Sequence, residues 1–486
     1  MTSFYFFDLE TSGFRARADR IMQFAGQRTD KDLNPIGEPD NILIKLTDDV
    51  LPQPDAILVT GITPQATRSE GISEAEFLQY FTSKIVKPDT IMVGYNNLRF
   101  DNEFIRFTLW RNFYDAYEWS WKNGCSTWDM LDVVRMTRAL RPDGIKWPFA
   151  PDGKPSNKLE FLSAVNKLEH ANAHDALSDV NATIDVARLI KQKQPKLFDY
   201  LLNHRSKKDI EPLVTSGRPF IYTSGRYPGD WEKTTIAVMV APHPDRQAAL
   251  VYDLRIDPDE FKDLSPAELA ERWQARGEDA PYFPVKVLTY NKCPAVAGDL
   301  RVVDKKTEER LKLHMELIEN HLAKLRKIED FGDKLAESQR LISQKFEQQA
   351  LKVEAPATDS FATALKADSA LYDGFINDAD KTKMSVVRAA DANELVDLSL
   401  DFSDERLKEL LPLYKARNYP SSLTPEEQEW WEQFRHRRLI DGGEKSQAAS
   451  YFKRLGELAE QPGLTAEQGY LLEELQLYGQ SVLPST

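Results

Sequence analysis

Asp8 and Glu10, one residue apart at the end of the apolar run in Phe4-Tyr5-Phe6-Phe7-Asp8-Leu9-Glu10-Thr11-Ser12-Gly13, are the first residues whose types and spacing could do chemistry. Side chains two apart on a strand point the same way, so the two carboxylates emerge together. Acids delivered by a buried strand repel one another and resist desolvation, and a cation held between them relieves both penalties. Mg²⁺ is a hard ion that prefers such oxygen donors. With 77 acidic residues among 486, an Asp-x-Glu pair also arises by chance, so the assignment depends on matching ligands elsewhere.

Two later segments supply them. Ile91-Met92-Val93-Gly94-Tyr95-Asn96 reads as a buried strand, and Asn97-Leu98-Arg99-Phe100-Asp101 follows it, placing Asp101 just past a strand end and near a helix start. Alone, Asp101 is equally well a first-turn acid favoured by the helix dipole. In Asn172-Ala173-His174-Asp175-Ala176-Leu177-Ser178-Asp179-Val180, the apolar residues Leu177, Val180, Ile184 and Ala187 step by three and four, which predicts an amphipathic helix with Asp179 at the edge of its buried stripe. His174 would lie about 140° from Asp179 on a continuous helix, so it belongs to the segment entering it. A lone histidine is more often an ordinary surface residue. Beside four acids, with an ordinary pKa of about 6.5, it suits a base that takes a proton from water near neutrality.

Phe-Asp-Leu-Glu-Thr, Asn-Leu-Arg-Phe-Asp and His-Asp-Ala-x-x-Asp in this order make the first domain resemble the DEDD-type 3′→5′ exonucleases with a histidine in the last motif. Arg111-Asn112-Phe113-Tyr114-Asp115, Trp119-Ser120-Trp121, Ala139-Leu140-Arg141-Pro142 and Asn291-Lys292-Cys293-Pro294 extend the likeness beyond that domain, to a bacterial branch acting on single-stranded DNA. The resemblance implies an α/β ribonuclease H-like nuclease domain, an SH3-like β-rich domain and a C-terminal helical domain. It implies two Mg²⁺ ions, with Mn²⁺ able to substitute, held by Asp8, Glu10, Asp101 and Asp179, with His174 as the base and Glu10 also touching substrate. It places strand contacts at Arg106, Tyr117, Trp121 and Arg135, and makes Lys158 a candidate phosphate ligand. It also implies contact with the acidic C-terminal tail of single-stranded DNA-binding protein, for which Arg141 and Tyr200 are candidates, helix packing being the equal alternative. The implied function is removal of mononucleotides from the 3′ end of single-stranded DNA, in repair and recombination.

The elements that must position these residues are partly legible. Ile21–Gly26 and Ile42–Leu46 read as strands. Thr63-Pro64 and Ser73-Glu74-Ala75-Glu76 read as helix starts. Residues 106–146 carry seven Lys or Arg against five acids, and are dense in aromatics, a composition that suits a single-strand path. Within them Phe107, Trp110 and Phe113 are expected to be core. Past a basic boundary at 192–208, the segments 220–222, 235–240, 249–252 and 285–288 read as short strands of a small barrel or sheet. Residues 305–348 read as packed helices, and 351–363 as a linker. Thr424-Pro425-Glu426-Glu427 and Thr465-Ala466-Glu467-Gln468 each open a helix in a terminal bundle. The domains are therefore expected at 1–190, 191–350 and 351–486.

Composition sets outer bounds. A net charge of −14 argues against broad polyanion binding but leaves room for a local basic channel. The two cysteines, Cys125 and Cys293, fit neither a zinc spacing nor a disulfide framework. With no basic lead-in and no long apolar segment, a cytoplasmic protein without a membrane partner is expected; a monomer is the expected state, though nothing in the sequence fixes it. An RNA-trimming relative would be much shorter than this chain. A dead nuclease scaffold would lack one of the acids, and none is missing.

Overall fold

The computed structural model describes residues 2–168, 175–277, 280–351 and 360–484. The chain forms two compact units, one of Met1–Thr127, Ala171–Asn181 and Ala355–Thr486, the other of Trp128–His170 and Ala182–Glu354.

The apolar run at the N-terminus forms β1 (Ser3–Thr11), with Phe4, Tyr5, Phe6 and Phe7 all buried. β1 pairs antiparallel with β2 (Ile21–Thr29) and parallel with β4 (Thr90–Gly94), while β3 (Asp40–Leu43) borders β2. With β5 (Ser126–Asp129) the order is β3-β2-β1-β4-β5. Phe4 and Phe6 on one face and Tyr5 and Phe7 on the other are all buried, so both faces of β1 are covered, which is why four aromatics in a row suit it. Phe24 of β2 stacks on Phe7 at 6.0 Å. The register shifts between Glu10 and Thr11, where the strand ends. The turn that follows is tight: a Cβ on Gly13 would fall 2.5 Å from the Asp19 carboxylate and the Gln53 amide, so a larger residue would have to displace those side chains.

Helix α1 (Asp101–Arg111) follows β4 and buries Phe107, Trp110 and, just beyond its end, Phe113, as expected of core aromatics. They pack into one cluster with residues of α3 (Ser360–Ser369), α4 (Glu405–Asn418) and α5 (Pro425–Leu439), so the terminal helices share a core with α1. A second cluster joins Met22, Leu46 and Ile57 to Tyr451, Leu475 and Tyr478. Between α2 (Ala176–Lys193) and these helices in sequence lies the other unit's sheet, ordered β10-β6-β7-β8-β9. Its strands are β6 (Phe220–Thr223), β7 (Thr234–Pro242), β8 (Ala248–Asp253), β9 (Val285–Thr289) and β10 (Ala295–Ala297), all antiparallel to their neighbours.

The structure departs from expectation in places. Ser126–Asp129 and Ala295–Ala297 are strands that too few apolar residues announced. Residues 305–348 divide into Lys305–Leu311, Met315–Leu325 and Phe331–Leu351. The expected linker is shorter than read, because α3 already begins at Ser360.

Within the first unit lies a buried ionic cluster that no sequence pattern announced. Arg417 contacts Asp368 at 2.6 Å and Asp49 at 2.7 Å, while Arg438 lies 3.2 Å from both. Arg20 reaches Asp368 at 3.1 Å and Glu74 at 3.8 Å, and Arg111 meets Glu74 at 3.9 Å. The cluster ties α1 and Arg20, the residue before β2, to α3, α4 and α5.

Candidate active site

β1, α1 and α2 bring the predicted acids to one place. Oxygen atoms of Asp8, Glu10 and Asp179 all lie within 4.8 Å of one another. Asp101, buried at the first position of α1, is close enough for its charge to act on both Asp8 and Glu10. The strand period that places Asp8 and Glu10 together, and the first turn of α2 that carries Asp179, are the local reasons for this convergence. His174 lies outside the described residues.

The electrostatics of the cluster are unbalanced. Burial pushes the Asp8 carboxyl well above its usual range, and the charges of Asp101, Glu10, Asp179 and Asp175 push it further. Glu10 is raised from 4.5 to about 8, again chiefly by burial and then by Asp179, Asp101 and Asp175. Every charge that acts most strongly on these two groups is another carboxylate. Such a donor set, all oxygen and in want of positive charge, fits a hard divalent cation.

Asp175 is a site residue that sequence reasoning passed over. Its carboxylate accepts a hydrogen bond from the Ser178 backbone N–H at 3.1 Å, which makes it a cap of α2. The readable signal was an acid immediately before a helix start; its proximity to Asp8 comes only from the fold.

The remaining predicted residues fall in both units. In the first, Arg106 of α1 pairs with Glu103 at 2.7 Å and its guanidinium lies 5.5 Å from the centre of the Tyr117 ring. Tyr117 is half-buried and Trp121 is 63 % exposed, a large apolar surface left to solvent. In the second unit, Arg135 pairs with Asp132 at 2.6 Å. Lys158 is exposed, 3.3 Å from Glu160 and 5.4 Å from the centre of the Phe161 ring. Arg141 and Tyr200 line one cavity of about 370 Å³ together with Leu140, Lys196, Leu197 and Val302. No helix among the described residues is long and apolar enough to cross a membrane.

Residues 5–187 match the family described as Exonuclease, residues 205–339 the Exonuclease I SH3-like domain, and residues 365–482 the Exonuclease I C-terminal domain. Fold and site together define a DEDD-superfamily exonuclease carrying an SH3-like and a helical C-terminal domain. The chain is 40 % identical to exodeoxyribonuclease I of Haemophilus influenzae over 99 % of each sequence. Among solved structures it resembles the zinc-bound complex of Escherichia coli exonuclease I with single-stranded DNA, at 36 % identity and a TM-score of 0.89 over 99 % of each chain. It also resembles an SSB/exonuclease I structure with an inhibitor, at 36 % identity and a TM-score of 0.87, covering 99 % of this chain and all of that one. This chain belongs to the exodeoxyribonuclease I family and is a phosphodiester-hydrolysing nuclease.

Proposed function

We propose that the protein removes mononucleotides from the 3′ end of single-stranded DNA, in repair and recombination, as a cytoplasmic monomer. The observation that carries this is the convergence of Asp8, Glu10 and Asp179 within 4.8 Å on an exonuclease fold. Those three and Asp101 would hold two Mg²⁺ ions, with Mn²⁺ able to substitute. When bound, such ions supply an activated water and charge stabilisation at the leaving 3′ oxygen. His174 takes the proton of the attacking water, Glu10 also touches the terminal nucleotide, and Lys158 binds a phosphate. Arg106, Tyr117, Trp121 and Arg135 track the strand, stacked aromatics accepting any base while arginines follow phosphates. The complex of the Escherichia coli enzyme with single-stranded DNA supports this substrate.

The cavity of Arg141 and Tyr200 is the proposed seat of the acidic tail of single-stranded DNA-binding protein. An arginine beside Leu140, Leu197 and Val302 offers a cation and an apolar pocket to a peptide end. The domain reading remains 1–190 for the nuclease, 191–350 for the SH3-like part with its helical extension, and 351–486 for the terminal helices.

Digestion of end-labelled single-stranded DNA, duplex DNA and RNA, with Mg²⁺ and with chelator, tests the proposal. The expected result is Mg²⁺-dependent release of mononucleotides from the 3′ end of single-stranded DNA. Cleavage that persists in chelator, or that starts from the 5′ end, would overturn it.

A further inference from the structure

The loop between β1 and β2 is built to present side chains outward. Its base is closed by the Ser12 N–H donating to the Arg20 carbonyl at 2.9 Å and by the Arg20 N–H donating to Ser12 Oγ at 2.8 Å. Its inner carbonyls are held by arginines of the buried ionic cluster. Arg20 donates to the Ala18 carbonyl at 2.9 Å, and Arg111 to the Ala16 carbonyl at 3.2 Å. With the backbone held from beneath, Phe14 is left 66 % exposed and Arg15 and Arg17 also reach solvent.

These residues wall a groove of about 780 Å³ with Arg99 and Tyr372, and Asp368 and Arg438 line it more deeply. That volume falls within the range that holds small organic ligands. The groove's lining sets four arginines, Arg15, Arg17, Arg99 and Arg438, against two carboxylates, Glu103 and Asp368, in a chain of net charge −14. Beneath it, the buried cluster sets four guanidinium groups, of Arg20, Arg111, Arg417 and Arg438, against three carboxylates, of Asp49, Glu74 and Asp368. Arg438, which pairs with Asp49 and Asp368 at 3.2 Å, is nine-tenths or more buried, its side chain 7 % exposed, and its Nε has no hydrogen-bond partner. At the rim the Arg17 guanidinium lies about 6 Å from the ring centres of Phe107 (5.9 Å) and Tyr372 (6.0 Å), beside a T-shaped aromatic pair whose own centres are 5.7 Å apart. Phe14 follows Glu10 by four positions and Arg99 precedes Asp101 by two, so the walls continue directly from the segments that carry the acidic site.

We propose that this groove binds a nucleotide, Arg15, Arg17 and Arg99 taking the phosphate charge and Phe14 and Tyr372 stacking on the base. An excess of fixed cations around a cleft concentrates anions, and exposed rings add a sequence-tolerant contact. The inference rests on the exonuclease reading, and it assigns the turn that follows α3 a part in the groove through Tyr372. The same chemistry has two sources: a nucleotide unit of the strand being digested, or the 5′-mononucleotide just released.

The test uses the full chain and its Arg15→Ala/Arg17→Ala and Phe14→Ala variants, with oligo(dT) as substrate and 5′-dTMP as inhibitor over a range of salt. A strand site predicts a KM raised about tenfold in the double variant, with a salt slope shallower by about 0.7 for each phosphate no longer neutralised. Phe14→Ala, which keeps every charge, then raises KM without changing that slope. A product site predicts that dTMP inhibition weakens about tenfold while KM stays. KM, salt slope and inhibition all within twofold of the parent in both variants would overturn the groove while leaving the exonuclease reading intact. Absence of metal-dependent nucleotide release by the parent chain would instead overturn that reading.

Discussion

Two groups of buried carboxylates lie in the same compact unit, and the protein treats them in opposite ways. Asp8, Glu10 and Asp179 crowd within 4.8 Å, and burial followed by mutual repulsion pushes Asp8 and Glu10 upward. Asp49 and Asp368 are more deeply buried than Asp8 or Asp179, and burial alone would raise them too, yet the guanidinium groups of Arg417, Arg438 and Arg20 hold both below the usual carboxylate range. The difference lies in where the compensating charge comes from. An acid paired by arginines of its own chain is complete on folding and serves structure. Acids left unpaired at the end of a central strand must take their cation from solution, and that requirement is what makes them a site.

The comparison is broken most directly by removing one acid from each group. Asp8→Asn is expected to lower hydrolysis by about three orders of magnitude or more, since metal charge stabilisation is worth several kcal/mol and each 1.4 kcal/mol is tenfold. The same substitution should raise the melting temperature of the metal-free protein, because it removes a carboxylate that burial disfavours. Single-turnover rates and thermal melts in chelator check the two halves. Arg417→Met should do the reverse, costing about 3–5 kcal/mol in urea denaturation by stranding Asp49 and Asp368. If Asp8→Asn destabilised the metal-free protein as much as Arg417→Met, the two groups would not differ in kind.

Proton linkage sharpens the contrast with a smaller effect. In the metal-free folded protein Glu10 keeps its proton between its ordinary 4.5 and its raised value of about 8, a range in which the unfolded chain has lost it. Stability in chelator should therefore fall as pH rises through that window, by about 2–4 kcal/mol, and then level off. Mg²⁺ should restore it most at the alkaline end. Asp49 and Asp368, shifted downward, contribute fully above their ordinary 3.8 and lose that contribution only as pH falls below it. Melts from pH 3 to pH 9 with and without Mg²⁺ would show both limbs. A metal-free protein that gained stability between pH 5 and pH 8 would contradict the assignment of Glu10.

The two groups were also unequally legible. Asp8, Glu10, Asp101 and Asp179 announced themselves because each sits at the end of a periodic apolar segment, so an element and a direction came with the residue. Thr63, Ser73, Thr424 and Thr465 were readable as caps for the same local reason, and each does cap its helix. Arg20, Arg111, Arg417 and Arg438 gave no such sign. A lone arginine reads as a surface residue, and these four come from segments near both ends of the chain whose shared core no local pattern encodes. The groove was hidden likewise: Phe14, Arg15, Arg17 and Arg99 are close in sequence to the acids, but Tyr372 joins them only through folding. The strands Ser126–Asp129 and Ala295–Ala297 were too short for alternation to register.

Asp380 offers a third treatment of a buried acid and the finest test. Its carboxylate accepts hydrogen bonds from Ser403 Oγ at 2.6 Å, the Ser403 N–H at 3.1 Å, the Asp404 N–H at 2.9 Å and Asn377 Nδ2 at 3.2 Å, with Lys383 at 3.3 Å. Burial would raise it, but these donors bring it down to about 2. Neutral donors thus do much of what arginines do for Asp49. Asp380→Asn keeps the shape but turns one acceptor into a donor facing other donors, so a cost of about 1.5–3 kcal/mol is expected, the range for hydrogen bonds to a charged group. That is less than for Arg417→Met, because the one charge known to lose its partner, the Lys383 ammonium, is 32 % exposed and screened by water. A cost equal to that of Arg417→Met would mean that broken hydrogen bonds, not stranded charge, govern the arginine cluster as well, and the distinction between finished and unfinished acids would then rest on hydrogen bonding alone.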